Sequence, residues 1–314
     1  MNAPMFPVFV AAGEALTDMI AEPGQQQWRS QVGGSTWNVA RVMARLGVPS
    51  AFAGAVSCDV FGDQLWDASV AAGLDMRFVQ REARSPLLAI VYRTDPPSYF
   101  FVGDDSADLH FDAARLPDGW RAHCKWVHFG GISLAREPLA GKLLALAASL
   151  KADGVKISYD PNFRALMDQR YDATLQRMTA LADVIKVSDE DLAGLFRTSD
   201  LENAFATLRG WNPGATYLYT RGAQGASLHI GADGWHAASP RITIVDSVGA
   251  GDASIAALAW SFLHQPRRAP GDHLRFAVAA GAAACQSAGA APPSLQAIDS
   301  LLQHQAPAGP AALQ

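Results

Sequence analysis

The heptapeptide Asp246-Ser247-Val248-Gly249-Ala250-Gly251-Asp252 concentrates more chemistry than any other stretch of the chain. It lies between an apolar run, Ile242-Thr243-Ile244-Val245, which reads as a buried strand, and Ala253 to Trp260, which reads as a helix. Glycines at a strand-to-helix turn let the backbone close on a ligand. The first amides of a helix lack internal partners and point outward at the positive end of its dipole. Together these features make an anion site. A carboxylate at Asp252 would repel a phosphate that is merely bound. It becomes useful as a general base, because an alcohol that attacks a phosphoryl group must lose its proton.

Three further clusters fall where elements change. Gly33-Gly34-Ser35-Thr36-Trp37-Asn38 opens the first amphipathic helix, and Asn38, one turn in, can donate and accept toward a hydroxyl. Alone, the same residues also describe an ordinary helix start. Gly13-Glu14-Ala15-Leu16-Thr17-Asp18 follows the first strand, at the end of the sheet where open α/β folds bind ligands. Asp18 there is placed to accept from two sugar hydroxyls, or is a solvated loop aspartate. Asp160-Pro161-Asn162-Phe163-Arg164 follows strand 155–159, and its composition fits a binding loop and a plain turn equally.

The elements that must position these clusters follow from periodicity. Strands are expected at 8–12, 51–55, 87–93, 99–102, 126–129, 155–159, 184–187, 216–220 and 241–245. Helices are expected at 36–46, 63–72, 138–152, 173–182, 189–196, 200–209, 251–264, 272–287 and 294–303. A hairpin runs through 226–238, and Asp95-Pro96-Pro97-Ser98 reads as a turn between two strands. Alternating strands and helices imply an α/β fold with a parallel sheet covered on both faces. Segments 16–32 and 87–102 break the rhythm: they are strand-rich without helices and could pair as a small sheet over a site. The Ala/Pro-rich tail, 306–314, is expected to fray.

The chain has 314 residues, 49% hydrophobic, enough for a large core in one domain, and a net charge of −5. No Lys/Arg cluster provides the electrostatic footprint of a nucleic-acid binder. Cys58, Cys124 and Cys285 are far apart, so neither a metal spacing nor a disulfide framework is read. No apolar stretch approaches the ~20 residues of a membrane span, and no signal peptide is seen. These features read as a soluble cytoplasmic protein that contacts neither membrane nor nucleic acid.

Taken together, the clusters resemble a family. From about residue 8 to residue 303 the chain is similar to the ribokinase-like (pfkB) carbohydrate kinases, and within them most to the fructokinases. The family's C-terminal signature, Asp-Thr-x-Gly-Ala-Gly-Asp, resembles Asp246–Asp252 with Ser247 in place of Thr. Its N-terminal signature resembles Gly33-Gly34 through Gly47, and Asp104-Asp105-Ser106-Ala107-Asp108 and Asp160–Arg164 look fructokinase-like. The resemblance implies a ribokinase-like three-layer α/β/α sandwich over residues 1–314, with a central mainly parallel sheet. It also implies a small β-sheet lid from about 14–35 and 86–104, able to mediate a homodimer.

The resemblance further implies a division of labour. Asp252 is the base, and the amides of Gly249, Ala250 and Gly251 form an anion hole. Asp18, Gly33, Gly34 and Asn38 hold the sugar, with Arg164 as a further sugar or phosphate contact. Ser188, Thr220, Gly222 and Gly225 lie along the nucleotide phosphates, and the Ala-rich helix around 276–289 makes room for adenine or simply packs closely. ATP with Mg2+ is implied, Asp246 is a candidate for a K+-type cation, and Asp191, where the family more often has Glu, would act on Mg2+ through water. Trp37 is bulkier than in many relatives and reads as a packing residue or as a wall of the sugar pocket.

Fructose leads among acceptors, followed by 2-keto-3-deoxygluconate and then other pfkB substrates. Two readings outside this class were weighed: a non-catalytic sugar or nucleotide sensor on the same fold, and a nicotinamide enzyme. Gly249 to Ser254 superficially matches Gly-x-Gly-x-x-Gly/Ala, but only about 65 residues follow it, too few for a two-halved dinucleotide domain.

Overall fold

The structure is a computed structural model that describes residues 6–22, 24, 26–94 and 97–311. In chain order the strands are β1 (Phe9–Ala12), β2 (Leu16–Ala21), β3 (Trp28–Gly33), β4 (Ser50–Ser57), β5 (Val79–Glu82), β6 (Leu88–Thr94), β7 (Pro97–Val102), β8 (Trp126–Gly130), β9 (Lys156–Asp160), β10 (Val184–Ser188), β11 (Thr216–Thr220), β12 (Ala226–Ile230), β13 (Asp233–Ala237) and β14 (Gly309–Pro310). The helices are α1 (Ser35–Arg45), α2 (Val60–Ala71), α3 (Leu139–Ala152), α4 (Asp172–Leu181), α5 (Asp189–Phe196), α6 (Leu201–Trp211), α7 (Ala250–His264), α8 (Pro270–Ala284) and α9 (Leu295–Leu302).

Ten strands form one sheet in the order β14-β13-β12-β11-β10-β9-β8-β1-β4-β5. Neighbours from β11 to β5 are parallel, whereas β12, β13 and β14 are added antiparallel. Successive side chains leave opposite faces of a strand. Accordingly Val10 and Ala12 of β1 join a core layered with Leu143 of α3, Met178 of α4 and Leu208 of α6. Phe9 and Ala11 join the opposite core, with Val42 of α1, Leu258 of α7 and Leu274 of α8. Strands buried on both faces explain the near-continuous apolar runs in the sequence. The α/β class with helices on both faces of a mainly parallel sheet is what the structure shows. Ala-rich α8 lies close to α7: a methyl at Gly281 would sit 2.4 Å from Ser254 Oγ.

A second sheet has the order β3-β2-β6-β7. Its central pair, β2 with β6, is parallel and joins the two segments that broke the helical rhythm; Asp18 lies opposite Ala89. The outer pairs are antiparallel. Asp95 and Pro96 of the expected turn lie outside the described residues.

Two expectations are corrected. Residues 241–245 form no strand, and Ile244 and Val245 are each 61% exposed. The run has strand-like composition but no free sheet edge beside it, because β14 occupies the outer edge of β13. The amides of Val245 and Asp246 instead donate to the Cys285 carbonyl, at 2.9 and 3.3 Å. The tail is likewise tied down through residue 311: Gly309 and Pro310 pair with His236 and Trp235, and Ala311 N donates to Gly234 O at 2.9 Å. Among the described residues no helix is long and apolar enough to cross a membrane, and Cys58, Cys124 and Cys285 are free thiols.

Candidate active site

The carboxyl ends of β1, β8, β9, β10 and β11 point toward one rim of the large sheet, where the second sheet and the start of α7 also converge. Gly249 is the residue before α7, with φ 82°. A side chain there would be strained, and its Cβ would meet the Ala290 methyl at 2.8 Å. Helix geometry leaves the amides of Gly251 and Asp252 without intrahelical acceptors. The Ala250 amide makes a long 3.3 Å contact to Ser247 O.

Asp252 is buried, and its two oxygens are separately held. Ser35 Oγ donates to Oδ1 at 2.7 Å, and Asn38 Nδ2 donates to Oδ2 at 2.9 Å. Both donors come from the first turn of α1, so the two signature motifs, over 200 positions apart, meet at one carboxylate. A carboxylate only accepts, so Asn38 must turn its amide nitrogen toward it. That leaves Asn38 Oδ1 as a buried acceptor without a partner, ready for a ligand hydroxyl. Burial raises the pKa of Asp252 above the usual carboxylate range. The hydrogen bonds from Ser35 and Asn38, and then the charges of Lys186 and Arg164, oppose that rise.

The smaller sheet brings Asp18 to the same region. Burial pushes its pKa up to about 6, opposed by the charge of Arg164. Gly33 allows the close approach, since a methyl there would lie 2.6 Å from Asp18 Oδ2. Gly34, at φ 114°, passes so near the Glu14 carbonyl that a Cβ would be 2.8 Å from it. Arg164 is held by its own loop: Nη1 donates to Asn162 Oδ1 at 2.6 Å and to Phe163 O at 2.7 Å, and its guanidinium lies 6.0 Å from the Tyr99 ring of β7. Beside Asp18, Gln31 of β3 is its register partner, and Gln31 Nε2 lies 1.9 Å from where a Cβ on Gly289 would stand.

On the other side of the rim, Ser188 and Thr220 are register partners at the ends of β10 and β11. Ser188 caps α5 in a reciprocal box: Asp191 N donates to Ser188 Oγ at 3.1 Å, and Ser188 N donates to Asp191 Oδ2 at 2.7 Å. Asp191 Oδ1 accepts from Phe163 N at 2.7 Å. Burial would raise the pKa of Asp191, but the Lys186 charge and these hydrogen bonds outweigh it and hold it low. Both its oxygens are therefore committed to joining α5 to the loop after β9. Thr220 Oγ1 reaches Val187 O at 3.4 Å. Gly222 is exposed and begins one turn of 3-10 helix, while Gly225 passes the β12–β13 hairpin so closely that a methyl would lie 2.0 Å from Ala237 O. Asp246 binds two amides, Val248 N at 3.0 Å and Gly289 N at 2.8 Å. Trp37 is fully buried and donates to Ser69 Oγ of α2 at 2.8 Å, with Arg41 stacked 4.3 Å over its ring. It packs between helices.

Sequence reading missed Lys186. Its ammonium is buried beneath the rim, 3.1 Å from Asp160 Oδ2 and 3.4 Å from Asp191 Oδ2. The signal was available: a lone lysine in the middle of Val184-Ile185-Lys186-Val187, a strand otherwise apolar on both faces. Burial lifts the pKa of Asp160 to about 7 against the pull of Lys186. Ser35 and Glu14 were inside quoted motifs but had no assigned role. Glu14 is buried, accepts from Ser133 N at 3.2 Å, and is lifted by burial to about 7.

Residues 9–297 match a family described as pfkB family carbohydrate kinase. A fructokinase of Rhizobium leguminosarum bv. trifolii is 33% identical over 254 residues, 78% of this chain and 76% of that protein. The crystal structure of fructokinase with bound ATP from Xylella fastidiosa superposes with a TM-score of 0.86 at 29% identity, over 95% of this chain and 99% of that one. Fructokinase from Vibrio cholerae O395, in a form binding fructose, ADP and calcium ion, gives 0.83 at 28% identity, over 94% and 98%. With the family matched along nearly its whole length, and with the glycine turn and the α1 signature meeting at one buried carboxylate, the chain belongs to the pfkB family of carbohydrate kinases.

Proposed function

We propose that this protein transfers the γ-phosphoryl group of ATP to a hydroxyl of a ketose, with fructose as the leading acceptor. The reading takes residues 1–314 as one kinase domain and 14–35 with 86–104 as its lid. The observation that carries it is Asp252, held at the start of α7 by Ser35 and Asn38 beside the unpartnered Asn38 Oδ1. Asp252 takes the proton of the sugar hydroxyl as its oxygen attacks the γ-phosphorus. The bond to the β-phosphate bridging oxygen breaks and ADP leaves. Phosphoryl transfer has a loose transition state, so positioning and electrostatics supply most of the catalysis. The amides of Gly249, Ala250 and Gly251 face the charge that develops on the transferred group. Asp18, Gly33, Gly34, Asn38 and Arg164 orient the sugar, and Ser188, Thr220, Gly222 and Gly225 border the polyphosphate. Exposed Ile244, Val245 and Val248 offer apolar surface to the base.

A magnesium ion would neutralise phosphate charge. Among the described residues there is no group of three or more metal-ligating side chains. The ion would therefore be held mainly by phosphate oxygens and waters, and Asp191, with both oxygens engaged, would reach it through water. Asp246, with the adjoining loop carbonyls, is the candidate for a K+-type ion. The smaller sheet exposes Trp28, Tyr92, Phe100 and Val102, apolar surface suited to a second copy.

An ADP-release assay over fructose, 2-keto-3-deoxygluconate and ribose tests the reading, with fructose expected to turn over best. Asp252→Asn should bind both substrates yet lose at least ~10²-fold in kcat. Ligand binding with no turnover on any acceptor would instead identify a sensor.

A further inference from the structure

Lys186 carries a full charge at a place where the fold seems to need only an apolar strand residue. Its neighbours from each packed element are acidic or neutral: Asp160 at the end of β9, Asp191 on α5, Asp252 on α7, and His128 on β8. His128 is buried, and burial together with Lys186 holds its pKa down to about 3, so it is neutral and adds no charge. Arg164 contributes a more distant positive charge at Asp252. The ammonium also lies directly under the glycine turn. A Cβ built on Gly251 would stand 3.1 Å from Nζ and 3.4 Å from Cε, so the absence of a side chain at 251 makes room for the lysine.

We propose that Lys186 is a positioning residue for transfer: its ammonium, tethered by Asp160 and Asp191 beneath the Gly249–Gly251 turn, balances three clustered carboxylates and keeps Asp252 ionised to accept the sugar proton. Without it, Asp160, Asp191 and Asp252 share a buried pocket with one fewer cation, and clustered carboxylates of this kind retain protons. A proton held on Asp252 disables it as a base. The inference rests on Asp252 acting as that base.

The test is the pH dependence of kcat in three variants. Lys186→Gln keeps donors for Asp160 and Asp191 but loses the charge; Lys186→Met loses both; Lys186→Arg keeps the charge. Both neutral variants should move the acid limb upward by about one pH unit or more. Their activity should fall at least tenfold near neutrality and recover at alkaline pH, with little change in KM for either substrate. Lys186→Arg should leave the limb in place even if its plateau drops. A uniform loss at every pH, or an unmoved limb in whichever neutral variant folds, overturns the proposal. So does a tenfold weaker ATP affinity without a limb shift, which would make Lys186 a phosphate ligand. Asp252→Asn separates the two readings. If it turns over normally, the base assignment fails and this inference with it. If it is inactive while Lys186→Gln keeps the parental limb, only this inference fails.

Discussion

Glu14→Gln should stabilise the protein increasingly as pH rises. Glu14 is buried at the end of β1, and burial outweighs its hydrogen bonds from Ser133, lifting its pKa from 4.5 to about 7. A carboxyl whose folded pKa is raised binds its proton more tightly in the native state than in the unfolded chain. Its contribution is fully present below about pH 4.5 and is lost as pH climbs through about 7. At pH 5.5 roughly 1.5 units of that window remain, about 2 kcal/mol at 1.36 kcal/mol per unit; at pH 8.5 essentially none remains. Glutamine mimics the protonated form and keeps an acceptor for Ser133 N, but does not titrate. The stability of Glu14→Gln relative to the parent should therefore improve by about 2 kcal/mol between pH 5.5 and 8.5. Urea unfolding at both pH values, with the linear extrapolation applied to each protein, measures it. An identical difference at the two pH values would refute the assignment of Glu14 as a buried, proton-retaining acid.

Two further expectations concern the turn and the lid. Gly249→Ala should lower the melting temperature, because an L-residue at φ 82° costs about 1–2 kcal/mol. It should also reduce kcat by ~10²-fold by displacing an anion-hole donor; a full-rate variant would remove that turn from the chemistry. Tyr92→Ser with Phe100→Ser should convert a dimer to a monomer in sedimentation if the exposed face of the smaller sheet joins two copies, and an unchanged mass rejects that face.

Local pattern carried much of the architecture, because each strand from β8 to β11 is followed by an amphipathic or apolar helix and a turn. It failed where the decisive fact was a neighbour rather than a propensity. Residues 241–245 have strand-forming side chains, but the only nearby sheet edge is taken by Gly309 and Pro310, which are almost 70 positions away. The parallel pairing of β2 with β6 was foreseeable only as an association of two unexplained segments. At the site, the motifs identified Asp252 and Asn38 separately; their direct hydrogen bond is a product of folding. Lys186 escaped because no motif logic flags a single charged residue in an apolar strand, although burying an ammonium without partners is prohibitive and its presence alone implies buried acids nearby.

Gln31 has a bearing on which sequences this scaffold tolerates. It stands across the ladder from Asp18 and also fills the space that a side chain on Gly289 would occupy. Gly289 in turn donates its amide to Asp246. Anything larger than hydrogen at 289 must push Gln31 aside, drag β3 with it and disturb the carboxylate opposite. Drift in the segment after α8 is thus policed from the far signature motif, and the two regions must evolve as a pair.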